Sequence, residues 1–282
     1  MPDVFVGSEA VGQGLLTDRQ LRGPFVERVL QGVYRPSWVP LTHKLQCQAA
    51  CLVLPEHAVI SGASAATVLG VRIAQPGDPV LAVVHESVKA PKRVGVRVRT
   101  SQQPVRAGRL LDGVRLAEAN RLALDAVAGL ELPDATARLD ALVRAGLLDV
   151  QAFRRWLSEH RLHHVRAAAC AAELVDPRAE SLPESRARVL LHQDGIVTVP
   201  QFKVRVDGRV IARVDLAIPE LKIAIEYDGR WHEDELQRGL DNERLAALRA
   251  AGWTVVIVTA EMLRRPQLLL AAVRGAIAER TR

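Results

Sequence analysis

Cysteine is scarce: Cys47, Cys51 and Cys170 are the three in 282 residues. That number excludes the dense disulfide framework of a small secreted domain. Cys47 and Cys51 lie four apart on an apolar segment, where small residues commonly fill a core. A zinc site would need two further ligands. The histidines of "HRLHH" (His160, His163, His164) lie on a polar stretch that reads as a solvated face. Aromatic residues make up only 4% of the chain, so the core must be aliphatic. No run approaches the ~18 apolar residues of a membrane-spanning helix, and no membrane partner is expected. The start, "MPDVFVGSEAVGQG", has neither the charged segment nor the long apolar core of a secretory leader, so a cytoplasmic protein is expected. Lysine is also rare, five of the 38 basic residues. An arginine-rich genome explains part of the positive charge without any function.

What is present is a chain long enough for two domains, with 49% hydrophobic and 25% charged residues. The net charge of +6 is uneven: residues 1–115 carry +6, residues 116–177 carry −2 and residues 178–282 carry +2. A basic N-terminal end suits contact with a polyanion.

Three regions are expected. Residues 1–75 form the first. In "GLLTDRQLRGPFVERVLQGVYRPSW" (14–38), Thr17 and Gln20 make a capping box, and Gly23-Pro24 breaks the helix. A short second helix and then a strand through "VLQGVYRP" would give the helix, turn, helix, strand order of a winged helix. Arg19, Arg22 and Arg28 lie on it. Segments 43–54 and 61–70 read as helices, with Ser61 capping the second.

The second region, residues 76–177, would be a small β-ribbon and a helical spacer. Residues 79–86 and 94–100 read as strands. Lys92 and Arg93 lie between them, and Arg97 and Arg99 share one face of the second. Either a phosphate-facing ribbon or a solvated sheet face fits these four. Residues 119–175 are helical by period, with breaks near 129–133, 146 and 161–163. "VDPRAESLPES" (175–185) marks a boundary.

Residues 178–282 form the third region, of α/β class in the order α-β-β-β-α-β. A helix at 183–195 is followed by a hairpin arm (201–210) turning at Asp207-Gly208. Strands at 211–218 and 221–228 come next, then an amphipathic helix (233–251) with a Leu236, Leu240, Leu245 and Leu248 stripe. A strand (253–260) then returns parallel to 221–228 by a right-handed crossover. A last helix covers roughly 265–279.

The chemistry concentrates in "ARVDLAIPELKIAIEYDGRWH" (212–232). Alternation puts Glu226 and Asp228 on one face of their strand, about 7 Å apart at ~3.3 Å per residue. A tight turn at Pro219-Glu220 would pair 218 with 221 and 215 with 224. Asp215 would then be a diagonal neighbour of Glu226, at roughly 7–8 Å. Converging carboxylates in an apolar hairpin repel, and a divalent cation removes the repulsion. All-oxygen ligands favour Mg²⁺ or Mn²⁺. The competing reading is a solvated strand end, and a one-residue register slip would separate Asp215 from the others.

These residues resemble a family. An Asp, a connecting stretch and a Glu-x-Lys strand end mark the PD-(D/E)xK nucleases, and this chain is similar to the branch around very-short-patch repair endonucleases. "PESRAR" (183–188), "ARVDLAIP" (212–219) and "EYDGRWH" (226–232) carry the likeness, which spans about 178–282. The resemblance implies a restriction-endonuclease-like core with Asp215 and Glu226 as metal ligands. Asp228 stands where the superfamily has lysine. His232 would sit at the rim as a base or phosphate ligand, and Glu184 would add an acid from the helix. Ser181 and Glu184 also read as a capping box. Asp241 and Arg244 would orient the site or pair with each other. The N-terminal half resembles, more loosely, the winged-helix region of abortive-infection type IV antitoxins.

Two functions follow as expectations. One is Mg²⁺- or Mn²⁺-dependent hydrolysis of double-stranded DNA, with the substrate held by the N-terminal basic residues. The other is a non-catalytic DNA-binding regulator or antitoxin-like protein on a degenerate nuclease fold.

Overall fold

The computed structural model describes residues 2–228 and 235–282. It divides into two compact units, residues 1–126 and 127–282.

The first unit opens with β1 (Phe5–Val6), α1 (Gly7–Gly12), α2 (Asp18–Leu21), β2 (Val26–Leu30) and β3 (Val33–Pro36). The strands form a sheet in the order β1-β3-β2. Thr17 caps α2 through the reciprocal capping box with Gln20 that the sequence implies. The second helix expected after Pro24 is absent. "VERVL" forms a strand instead, with Val26 and Leu30 buried and an irregularity between Arg28 and Leu30 in its pairing with β3. The other helix beside α2 in the chain is α1, which precedes it.

The rest of this unit is α3 (His43–Val53), β4 (Val59–Ile60), α4 (Gly62–Val68), β5 (Val80–His85), β6 (Val96–Ser101), β7 (Ala107–Leu111), β8 (Val114–Ala117) and α5 (Ala119–Val127). Its second sheet runs β6-β5-β4-β8-β7. The expected β-ribbon is a parallel β5–β6 pair, with Leu81 opposite Arg97 and Val83 opposite Arg99. Ser61 occupies the N-cap position of α4, but its hydroxyl donates to Asp125 Oδ2 at 2.7 Å rather than capping.

The second unit contains α6 (Leu132–Arg144), α7 (Val150–Glu159), α8 (Val165–Glu173), α9 (Leu182–Gln193), β9 (Val199–Val206), β10 (Arg209–Ile218), β11 (Ile223–Tyr227), α10 (Glu235–Ala250), β12 (Thr254–Val258), α11 (Ala260–Arg264) and α12 (Pro266–Arg280). From α9 to β12 the order is α-β-β-β-α-β, as the sequence implies. The sheet runs β12-β11-β10-β9, antiparallel except for the parallel β11–β12 pair.

Each face of this sheet is covered. Leu216, Ile218, Ile223 and Ile225 pack with Leu191 of α9 and with Leu269 and Val273 of α12. Val204, Ala212, Val214, Ala217 and Ala224 pack with Leu245 and Leu248 of α10 and with Trp253. Aliphatic side chains fill both layers, as the shortage of aromatics requires. Phe202 and Trp253 are the aromatic pair of the second, with ring centroids 5.7 Å apart.

The three sequence regions distribute over these two units for definable reasons. Strand β4 pairs with β5 and β8, so residues 76–117 complete the sheet begun before residue 76. Helix α6 is tied to α9 across the expected boundary at 177. Asp140 of α6, fully buried, accepts from Arg188 Nη2 at 2.9 Å and from the Asp176 amide at 2.7 Å. Burial pushes the Asp140 carboxyl up, and Arg188 opposes that shift. Removing one member of a buried pair strands the other charge.

Arg188→Ala is therefore expected to cost about 3–5 kcal/mol in urea denaturation. Arg178→Ala breaks the exposed Asp176–Arg178 pair, and its expected cost is under about 1 kcal/mol. Equal losses for the two variants would contradict a structural role for the buried pair.

Candidate active site

Strand β10 departs from simple alternation at Asp215. Val214 and Ala217, three apart, belong to the α10 layer, and Leu216 belongs to the opposite layer. The irregularity is matched on β9. The register Val214↔Phe202 and Leu216↔Pro200 places Gln201 across from Asp215, and Gln201 has φ 52. A positive φ is costly for a side chain larger than glycine's, so packing on both strands must hold Gln201 there.

The β10–β11 register differs from the tight turn expected at Pro219-Glu220. A 3-10 turn spans Pro219–Leu221, and Lys222 follows at φ 50. The pairs are Ile218↔Ile223, Ala217↔Ala224 and Leu216↔Ile225. The two-residue change preserves side-chain parity. Continuing the register by one residue brings Asp215 opposite Glu226, on the α10 side with Ala217 and Ala224, rather than opposite Ala224.

The backbone ladder ends there, and Asp215 Oδ2 accepts the Tyr227 amide at 2.9 Å. A side-chain carboxylate thus replaces a backbone carbonyl. Burial, first, pushes the Asp215 carboxyl up to about 6, and the Glu184 and Glu180 charges push the same way. The Tyr227 amide and Arg244 pull it down.

Glu226, 6% exposed, accepts from Arg244 Nη1 at 2.7 Å. Arg244 also donates to the Arg213 carbonyl at 3.2 Å, which anchors α10 to β10. The expected partner for Arg244 was Asp241, whose side chain lies outside the described residues. Glu184, 7% exposed, stands in the first turn of α9. Its Oε2 accepts the Glu180 amide at 2.9 Å and Gln201 Nε2 at 2.8 Å. Ser181 caps α9 by accepting the Glu184 amide. Glu184 reaches the Glu180 amide instead of completing the expected box at Ser181, and so links α9 to the irregular strand.

Asp228 follows β11, half-exposed, with its amide bonded to the Val258 carbonyl at 2.8 Å. His232 lies outside the described residues. Among the described residues, no group of three or more His, Cys, Asp or Glu side chains is placed to hold a metal ion. What remains is a two-carboxylate arrangement, Asp215 and Glu226, with Glu184 acting on Asp215 through its charge. Mg²⁺ commonly takes one or two carboxylates and keeps several waters, so this oxygen donor set fits such an ion.

Sequence reading missed Gln201, for which a polar residue inside a strand was the only signal. It did not name Glu226 as the partner of Arg244, since the spacing from Glu226 to the following helix gave no signal for that contact.

In the first unit, Arg19, Arg22, Arg28, Lys92 and Arg97 are exposed. Arg93 donates to the Gln31 carbonyl at 3.3 Å, which sets the 86–95 connection beside the β2–β3 turn. Arg99 turns inward to Asp125, at 3.5 Å, where Arg121 also binds at 2.8 Å. Arg97 and Arg99 therefore do not act as one free basic face. Cys47 is buried, and burial pushes its thiol up. Cys51 is half-buried, Cys170 is exposed, and all three are free thiols. The His160 ring stacks on Trp156 at 4.2 Å. Among the described residues no helix is long and apolar enough to cross a membrane.

Asp215 gives a pH signature with a definite sign. The native carboxyl holds its proton up to about pH 6, against about 3.9 unfolded. The native state binds more protons across that window, so stability falls as pH rises from about 4 to 6. Asp215→Asn removes this loss. Its stability relative to the parent chain should rise by on the order of 1–2 kcal/mol between pH 4 and pH 7.5 in urea denaturation. A difference independent of pH would contradict the burial of this carboxyl.

No family model matches the chain, and no solved structure matches it. Two curated proteins of Mycobacterium tuberculosis do, "Uncharacterized protein MT2308" of strain CDC 1551 and "Uncharacterized protein Rv2248" of strain H37Rv. Each is 30% identical over 263 residues, covering 90% of this chain and 93% of the relative. The chain belongs to the same family as MT2308 and Rv2248.

Proposed function

We propose that the second unit is a restriction-endonuclease-like core that hydrolyses phosphodiester bonds of double-stranded DNA with a divalent cation. The observation that carries this reading is the pair of acids at the split between β10 and β11. A buried carboxylate, Glu226, and a half-buried one, Asp215, on adjacent strands of an α-β-β-β-α-β core, sit where the ladder opens. A structural role alone does not require acids there, because an apolar pair would cost less in so buried a place.

Mg²⁺ or Mn²⁺, when bound, supplies Lewis acidity at a phosphoryl oxygen and neutralises developing negative charge. Asp215 and Glu226 hold that cation. Glu184 and Gln201 fix the strand irregularity that aims Asp215. Asp228 cannot donate to a phosphate as a lysine would. The cation at hand is Arg244, already paired with Glu226, and its guanidinium is suited to phosphate oxygens. We assign it phosphate contact during the reaction.

In the first unit, α1 and α2 lie between β1 and a β2–β3 hairpin, with β1 added beside β3. That order supports a winged-helix-like reading, with Arg19, Arg22 and Arg28 exposed for DNA.

One observation favours a second reading. Glu226 is already neutralised by Arg244, and no three-acid cluster forms among the described residues. A non-catalytic DNA-binding regulator of antitoxin-like type would keep such a pair as a structural element.

Cleavage assays separate the two. Purified protein is expected to cut plasmid or labelled duplex DNA with Mg²⁺ or Mn²⁺ and to stop when EDTA is added. Asp215→Asn and Glu226→Gln should each lower the rate at least about a hundredfold, the scale of a lost electrostatic stabiliser. Undiminished cleavage by both variants would overturn the site. Absence of cleavage by the parent protein, with DNA binding retained, would favour the regulator.

A further inference from the structure

The basic residues first considered for DNA contact all lie in the N-terminal half. The second unit carries its own basic feature, next to the acids. Strand β11 covers β10 only from Leu216 to Ile218. From residue 202 to 214 the β9–β10 ribbon extends past that pairing. It turns at Asp207-Gly208, both with positive φ (49 and 78). That is the primed two-residue turn whose twist suits a hairpin.

The ribbon's two faces differ. Val204, Ala212 and Val214 pack with Leu245, Leu248 and Trp253. On the other face Lys203 stands opposite Arg213, and Arg205 opposite Val210. Arg209, opposite Val206 beside the turn, lies by register on the Val204 side, beyond the packed residues. Asp207 is the only acid in residues 202–214, against four bases. Arg213 is held by Glu180, with two contacts of 2.8 Å. Lys203, Arg205 and Arg209 are exposed, and none forms an ion pair among the described residues. Arg205 bonds only the Gly208 carbonyl, at 3.0 Å, which stiffens the turn and leaves its charge uncompensated.

We propose that the β9–β10 ribbon is the arm by which the second unit grips duplex DNA, with Lys203, Arg205 and Arg209 on the phosphate backbone. A two-stranded ribbon fits a B-DNA major groove about 12 Å wide. The cations occupy roughly 10 Å of the ribbon's length, three steps at ~3.3 Å per residue, with Lys203 opposite Arg213, two residues from Asp215. A phosphate track therefore leads into the acids, whose own charge would otherwise repel the substrate. Charge complementarity selects the occupant: exposed cations without carboxylate partners suit a polyanion.

The assignment deepens the nuclease reading by naming its substrate contact, and it rests on that reading for its purpose. The test reads binding without metal, so that grip and cleavage fail separately. Fluorescence anisotropy of a short labelled duplex in EDTA is followed from 50 to 200 mM salt. Each lost phosphate contact lowers the log–log salt slope by about 0.9. The triple variant Lys203→Ala, Arg205→Ala, Arg209→Ala should lower the slope by about 2 to 3 and weaken binding at least about tenfold at low salt. The charge-keeping triple Lys203→Arg, Arg205→Lys, Arg209→Lys should retain the slope. Circular dichroism melts should match the parent, since all three side chains are exposed.

An unchanged slope in the alanine triple overturns the proposal, as does an equal loss in the charge-keeping triple. Failure of the parent protein to bind duplex DNA overturns it too. Asp215→Asn with unchanged cleavage would sink the catalytic assignment alone and leave the arm standing.

Discussion

The hydrogen bond from the Tyr227 amide to Asp215 is the constraint on which the site depends. A sheet normally satisfies such an amide with a carbonyl of the neighbouring strand. Here a carboxylate does it, so the two strands must part just past Leu216 and Ile225. The parting lies between the two central strands, and Asp215 stands at it, half-buried. The break in alternation at Asp215 and the positive φ of Gln201 are the backbone's answer on the two flanking strands. Both irregularities cost free energy and remain only because two aliphatic layers fix the sheet around them.

The electrostatics follow from that geometry. Two buried acids and one half-buried acid would be costly together without compensation, and each receives a different kind. Glu226 has a guanidinium, Glu184 has an amide and a glutamine, and Asp215 has one amide and a raised pKa. Asp215 is the least compensated of the three. On the proposed nuclease reading, that asymmetry would leave Asp215 the carboxylate with most to gain from a cation, and the basic β9–β10 ribbon would offset the site's negative charge toward a phosphate substrate.

Much of the second unit was legible in the sequence because its signals are periodic. The continuous apolar run of β12, the alternation of β11 and the Leu245 and Leu248 spacing of α10 each fix an element's type. The element order then limits the topology to few choices. The register was not legible, because Lys222 adopts φ 50 without being glycine, and a left-handed lysine leaves no compositional trace. Arg244 was expected to orient the site or to pair with Asp241; it contacts Glu226 on a strand, which fits the first, and the Asp241 side chain lies outside the described residues. In the first unit, α1 was missed because "GSEAVGQG" is rich in glycine. A helix was expected where "VERVL" forms an irregular strand. The two-residue strands β1 and β4 are too short to carry a period and exist through their partners.

The central claim is that Asp215 and Glu226 share one divalent ion at the strand split. The most direct test is anomalous diffraction from crystals soaked in Mn²⁺. The account predicts a single strong peak bridging the two carboxylates, with oxygens at about 2.0–2.2 Å and Arg244 displaced from Glu226. No peak at saturating Mn²⁺, with the Arg244–Glu226 pair intact, would contradict it.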